Sequence, residues 1–245
     1  MCAWWQKRKR GQSEFCIRDA VRFAGSFRAK IHSDPFSSPM TEPVILLHGL
    51  WLRGATMGVF AQRLRTAGFA PETFDYASVQ GDAGEAVDKL ADRIRALESP
   101  RVHLIGHSLG GLIALATLRA LPTLTQGRVV CLGAPLKGSA AARGLSQWPM
   151  GAAMLGRSAA LLDKGFEHWD GPNEIGMIAG RLPIGLGFLF GGLSGQHDGT
   201  VGVEETRLPG LADHIVIAAA HTGLAWSAEA AQQAIAFLRD GHFQH

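Results

Sequence analysis

A serine hydroxyl becomes a useful nucleophile only when a base takes its proton and the chain holds it clear of the core. The stretch VHLIGHSLGGLIAL, residues 102–115, sets one such serine between two apolar runs. Gly106-His107-Ser108-Leu109-Gly110 fits G-x-S-x-G, with a strand pattern before it and a helix pattern after it. Strand and helix must then come close in one tight turn that leaves no room for side chains at Gly106 and Gly110. Ser108 is expected at the rim of a sheet, its hydroxyl at a helix N-terminus where backbone N–H groups face any developing negative charge. A glycine-rich turn capped by a serine is the plain structural reading. The strand before and the helix after favour the nucleophile.

Such a serine needs a base, and the base needs a carboxylate to orient it. In this arrangement the acid follows the serine in the chain and the histidine comes last. Of ten histidines, His221 follows a strand late in the chain and precedes a terminal helix. His214 opens that strand and belongs at its opposite end; His242 and His245 lie in the tail. Asp198, in HDGTV, is the expected acid, with Asp170 and Glu174 as alternatives. Its neighbour His197 reads as a solvated loop residue. Two backbone N–H groups should receive the carbonyl oxygen as it gains charge: that of Leu109, and that of Leu50 or Trp51 after VILLHG. His48 shapes that loop and is not expected to be a base. No metal and no organic cofactor is implied.

The elements that must position these residues follow one rhythm. Strands are expected at 44–49, 72–78, 102–107, 128–135, 174–180 and 214–220. Helical patterns lie between them at 58–68, 83–99 and 108–122, and a last helix covers 227–240. Strands alternating with helices, several of them apolar on both faces, point to an α/β fold with a mostly parallel sheet of about six strands flanked by helices. Ligand sites in such sheets form at the carboxyl ends of the strands. His48, Ser108, Asp198 and His221 all fall at or after such ends.

Composition narrows the function classes. With 47% hydrophobic and 18% charged residues, the 245-residue chain suits one globular domain. The net charge of +3 is unevenly spread. Residues 1–40 hold eight Lys/Arg against three Asp/Glu, and the remaining residues hold 16 against 18. The folded body is therefore not basic, and nucleic-acid binding is not indicated. Residues 1–42 read as a basic arm, disordered or helical, whose first ten residues, with WWQKRKR, could touch an anionic membrane surface. The segment MTEPVILLHG reads equally as a start at Met40. No apolar stretch of signal-peptide kind follows the basic run, and none reaches membrane-spanning length. Cys2, Cys16 and Cys131 are odd in number and widely spaced, which suggests a reducing, cytoplasmic setting, with Cys131 a core residue.

VILLHGLW, GHSLGG, GAPLKGS, DGTV and HTGL, in that order, resemble the α/β-hydrolase family, and within it small bacterial lipase- and esterase-like members. The likeness covers about residues 43–240. It implies Ser108 as nucleophile, Asp198 as acid, His221 as base, and the Leu50 and Leu109 N–H groups as the oxyanion hole. The family commonly has eight strands; nothing before VILLHG reads as a strand pair, so the smaller, six-stranded version is expected over 43–245. GAPLKGS resembles the point where a cap starts, placing a cap insertion at about 138–173. Trp51, Trp148, Met154 and Phe188 are the expected apolar wall for an acyl group, and the glycine-rich loop 181–196 reads either as mobile or as lying over that wall. The resulting expectation is a serine hydrolase acting on a small-molecule, acyl or lipid-like ester. An acyltransferase or thioesterase with the same triad is the alternative, and a non-catalytic module binding lipid or a partner is the less favoured one. Oligomeric state is not legible.

Overall fold

The computed structural model describes residues 41–185 and 193–245. The basic arm with its membrane reading, the central part of the 181–196 loop, and Phe188 lie outside the described residues. Six strands form one parallel sheet: β1 (Pro43–Leu47), β2 (Ala70–Phe74), β3 (His103–His107), β4 (Val129–Leu132), β5 (Ile175–Gly180) and β6 (Asp213–Ile217). Their spatial order is β2-β1-β3-β4-β5-β6. From β1 the chain steps to the β2 edge and returns past β1 to β3. The order therefore reverses between β1 and β3, where an open parallel sheet leaves a crevice beyond its carboxyl ends.

Alternate residues of the strands face two cores. Ile45, Leu47, Leu104, Val129 and Met177 pack beneath helices α2 (Ala83–Ala96) and α3 (Leu109–Ala120). Val44, Leu46, Ile105, Val130 and Leu132 pack beneath α1 (Gly58–Thr66) and α8 (Ala228–Asp240). Both faces of β1, β3 and β4 are covered, so these strands read as unbroken apolar runs. Helix α3 buries nine of its twelve residues, which explains its apolar surface on nearly every side. Cys131 lies in β4, fully buried; burial pushes its thiol up to about 12, the state of an inert core residue.

All six strands appear with shifted ends, β4 stopping at Leu132 rather than 135, and two of the differences are instructive. β2 begins at Ala70 and includes Pro71, where a proline argues against a strand. The strand is at the sheet edge and pairs with β1 alone, so the missing N–H costs no second ladder. It ends at Phe74 because Asp75 and Tyr76 turn to support the loop after β1. β6 ends at Ile217, earlier than expected. Residues 218–220 leave the ladder, and the carbonyl of Ala219 accepts instead from Leu182 N–H at 3.1 Å.

Between β4 and β5 the chain forms three short helices, α4 (Ala140–Ser146), α5 (Gly151–Leu155) and α6 (Ala159–Lys164). A last short helix, α7 (Val203–Thr206), precedes β6. Among the described residues no helix is long and apolar enough to cross a membrane.

Candidate active site

Ser108 follows the last residue of β3 and precedes the first of α3, with φ 54° and ψ −119°. That conformation is strained for a residue with a side chain and is characteristic of functional turns. The two glycines of the motif make it possible. A Cβ on Gly106 would come within 2.5 Å of the Gly110 backbone, and one on Gly110 would lie 2.6 Å from the Leu47 carbonyl oxygen. α3 thus presses directly on β3 and β1. The Ser108 N–H donates to the Leu132 carbonyl at 2.9 Å, which pins the turn to β4. This is the sharp strand-to-helix turn that the sequence pattern required.

Asp198 and His221 come together from separate loops. His221 Nδ1 donates to Asp198 Oδ2 at 2.7 Å. The His221 backbone N–H donates to the Asp198 carbonyl at 2.9 Å. Asp198 is itself held in a tight turn, its Oδ1 accepting from the N–H groups of Thr200 and Val201 at 2.9 and 2.7 Å. With both oxygens engaged and only 1% exposed, the carboxylate is buried but fully partnered. Gly133, at φ 55°, gives this pair its space: a Cβ there would lie 3.1 Å from Asp198 Oδ2 and 3.3 Å from His221 Nδ1. The alternative acids are engaged elsewhere, Asp170 with Arg119 and His168, and Glu174 with Arg128. His214 lies in β6, 2.8 Å from the Thr206 hydroxyl.

Ser108 and His221 line one cavity of about 320 Å³ with Gly49, Leu50, Trp51 and Thr222. Its far wall is apolar: Leu145, Leu155 and Leu162 from the three short helices, with Ile184 and Val201. Leu109 is the first residue of α3, directly after Ser108. No backbone carbonyl among the described residues accepts from the N–H of Leu50 or of Leu109. The loop that carries Leu50 is braced from behind. The Tyr76 hydroxyl donates to the His48 carbonyl at 2.5 Å, the two rings stack at 4.3 Å, and Asp75 accepts from Gly54 N–H at 2.7 Å. His48 is fully buried, and burial holds its pKa below the ordinary histidine value. It is a neutral loop brace, as its sequence context suggested.

The apolar residues expected on the acyl wall divide. Trp51, at φ 59°, borders the cavity, and its indole N–H donates to the Met154 carbonyl at 2.9 Å, tying the loop to α5. The side chains of Trp148 and Met154 are not among the cavity lining; both are about half exposed. α5 is little more than one turn long, and Leu155 is the member that turns inward, so its neighbour Met154 faces out. Sequence reasoning named none of Leu145, Leu155 and Leu162 individually, although their apolar spacing over 145–162 was the available signal. It also passed over Tyr76, the single tyrosine of the chain, which stands where β2 leaves the sheet.

A profile of the alpha/beta hydrolase family matches residues 44–243. No curated protein matches the sequence. Among solved structures, a protein from Listeria innocua superposes with TM-score 0.53 at 16% identity, covering 84% of this chain and 96% of that one. Phospholipase PlaB from Legionella pneumophila gives 0.55 at 18% identity, over 68% of this chain and 44% of that one. Carboxylesterase CesB from Bacillus subtilis gives 0.51 at 15% identity, over 83% and 85%. At these identities the structures speak to fold alone, and the fold is the helix-flanked parallel sheet built above. The family match spans that sheet from β1 to beyond α8, and the chain belongs to the alpha/beta hydrolase family.

Proposed function

We propose that the protein hydrolyses carboxylic esters through an acyl-enzyme on Ser108, with His221 as base and Asp198 as the acid that orients it. One observation carries the reading: the strained Ser108 and the Asp198-bound His221 open onto the same apolar cavity. A buried carboxylate on Nδ1 leaves Nε2 of His221 as the lone pair free to take a proton.

The ester carbonyl enters with its acyl part against Leu145, Leu155 and Leu162. His221 Nε2 removes the Ser108 proton as Oγ forms a bond to the carbonyl carbon. The oxygen gains negative charge and is received by the N–H groups of Leu50 and Leu109, each such donor contributing about 10²–10³ in rate. His221 then gives the proton to the leaving alcohol. Water enters, His221 takes its proton as the oxygen bonds to the acyl carbon, and the C–Oγ bond then breaks with the His221 proton passing to Ser108 Oγ, which frees the acid and restores the site. Asp198 holds the Nδ1 proton in place and stabilises the imidazolium. Helices α4–α6 act as the cap that keeps the acyl group dry. The carboxylesterase name of the Bacillus subtilis relative agrees with this reading.

The test is hydrolysis of p-nitrophenyl esters from acetyl to palmitoyl beside Ser108→Ala. The expected result is turnover that vanishes in the variant, with an optimum among short and medium chains, since the cavity is at the small end of ligand sites. Folded wild-type protein that cleaves no ester, or a Ser108→Ala variant that still does, overturns the proposal.

A further inference from the structure

His107 occupies the variable position of the serine motif, yet its side chain reaches all three segments of the site. It is 1% exposed. Its Nε2 lies 2.9 Å from the backbone carbonyl oxygen of His221. A carbonyl can only accept, so Nε2 carries the proton and Nδ1 is a bare lone pair. That Nδ1 has no partner. It lies against the oxyanion loop: a Cβ on Gly49 would be 2.9 Å from it and 3.2 Å from Ser108 Cβ. The His107 and His221 rings are 4.9 Å apart. Burying an imidazole with one nitrogen unsatisfied is costly, and an apolar side chain would fill the space without that penalty. The bond to His221 is what the histidine adds.

That bond completes a three-point hold on His221. Its N–H and its Nδ1 are tied to Asp198, at 2.9 and 2.7 Å. Its carbonyl is tied to β3 through His107, with a longer 3.3 Å bond from Leu224 N–H. The Asp198 bonds alone orient the ring but leave the loop free to shift away from the sheet. The His107 bond ties the loop to the strand that carries Ser108. The groups that face His107 are His221, Asp198 and His48. With burial and a neighbouring His221 both opposing its charge, it stays neutral while His221 gains and loses its proton.

We propose that His107 is a positioning residue, whose Nε2–H clamps the His221 main chain to β3 and so sets the reach of His221 Nε2 toward Ser108. This rests on the ester-hydrolase reading for its kinetic consequence. The experiment compares His107→Phe, His107→Gln and His107→Asn. Phenylalanine keeps the bulk without the donor. The glutamine amide nitrogen can reach the Nε2 position, and the shorter asparagine amide cannot. Expected are a kcat fall of about 10- to 100-fold for His107→Phe with KM within about twofold, recovery of most of it by His107→Gln, and no recovery by His107→Asn. The downfield proton NMR signal of His221 Nδ1–H should broaden or shift in His107→Phe and return in His107→Gln. Wild-type kcat in folded His107→Phe overturns the clamp. If His107→Phe fails to fold, equal kcat in His107→Gln and His107→Asn overturns it. If the wild type cleaves no ester, the functional reading fails separately. The clamp is then decided by the NMR signal, and an unmoved signal in His107→Phe, or in His107→Asn where His107→Phe does not fold, overturns it.

Discussion

His221 and Asp198 are joined twice, once ring to carboxylate at 2.7 Å and once backbone N–H to backbone carbonyl at 2.9 Å. The second bond keeps the two loops together even if the first is altered. Asp198→Asn should therefore fold like the wild type, because the amide oxygen of the variant can still accept from Thr200 and Val201 N–H. The variant would then present an amide donor to His221 and favour the wrong tautomer. The expected loss in kcat is about 10³- to 10⁴-fold, with near-ultraviolet circular dichroism unchanged. A loss below tenfold would remove Asp198 from the reaction.

Gly133 stands behind that pair at positive φ. In Gly133→Ala the new methyl would meet the Leu224 side chain at 2.7 Å and press on Asp198 and His221. Backbone strain and crowding together should cost about 2–4 kcal/mol of stability. Whatever folds should lose kcat more than KM, since the methyl displaces the base and not the acyl wall. Urea unfolding and steady-state kinetics on one preparation check both parts.

Acid should weaken the fold through His107. Burial, and to a lesser degree the charge on His221, push its pKa down to about 3. The unfolded chain takes up this proton near pH 6.5, and the folded chain does not until about pH 3. The stabilising contribution is thus whole above pH 6.5 and is lost as pH falls toward 3. At about 1.4 kcal/mol per pH unit, this one group removes about 2 kcal/mol by pH 5. His48 and His103, also lowered chiefly by burial, act in the same direction. Denaturant titrations at pH 7 and pH 5 should differ by at least that amount, and His107→Gln should reduce the difference by about 2 kcal/mol, leaving the share of His48 and His103. Equal stability at the two pH values would contradict a buried neutral imidazole.

Leu155 is 3% exposed and faces the cavity from α5. A Leu155→Trp variant should shorten the preferred acyl chain and raise KM for longer esters about tenfold or more, while acetyl ester turnover changes little. Met154→Ala, one residue away and outside the lining, should leave the chain-length profile as it is. Chain-length scans on both variants test which face of α5 meets the substrate.

The sequence by itself determined the strand and helix rhythm, the serine turn, and the order in which acid and base follow it. These are local facts. Apolar periodicity reports which face of an element is covered, and Gly106 and Gly110 report a turn with no room for a Cβ. The family likeness drew on the same short motifs. The tertiary structure alone decided what depends on distant segments. It showed that Pro71 sits in an edge strand, because strand order is not written in any one strand. It selected Leu145, Leu155 and Leu162 over Trp148 and Met154 for the cavity wall, because in short helices a single residue's rotation decides inside from outside. It brought Asp198 rather than Asp170 or Glu174 to His221, and it turned His107 toward a carbonyl 114 positions away. A hydrogen bond between such distant positions leaves no spacing to read, and it exists only once both loops are packed on the sheet.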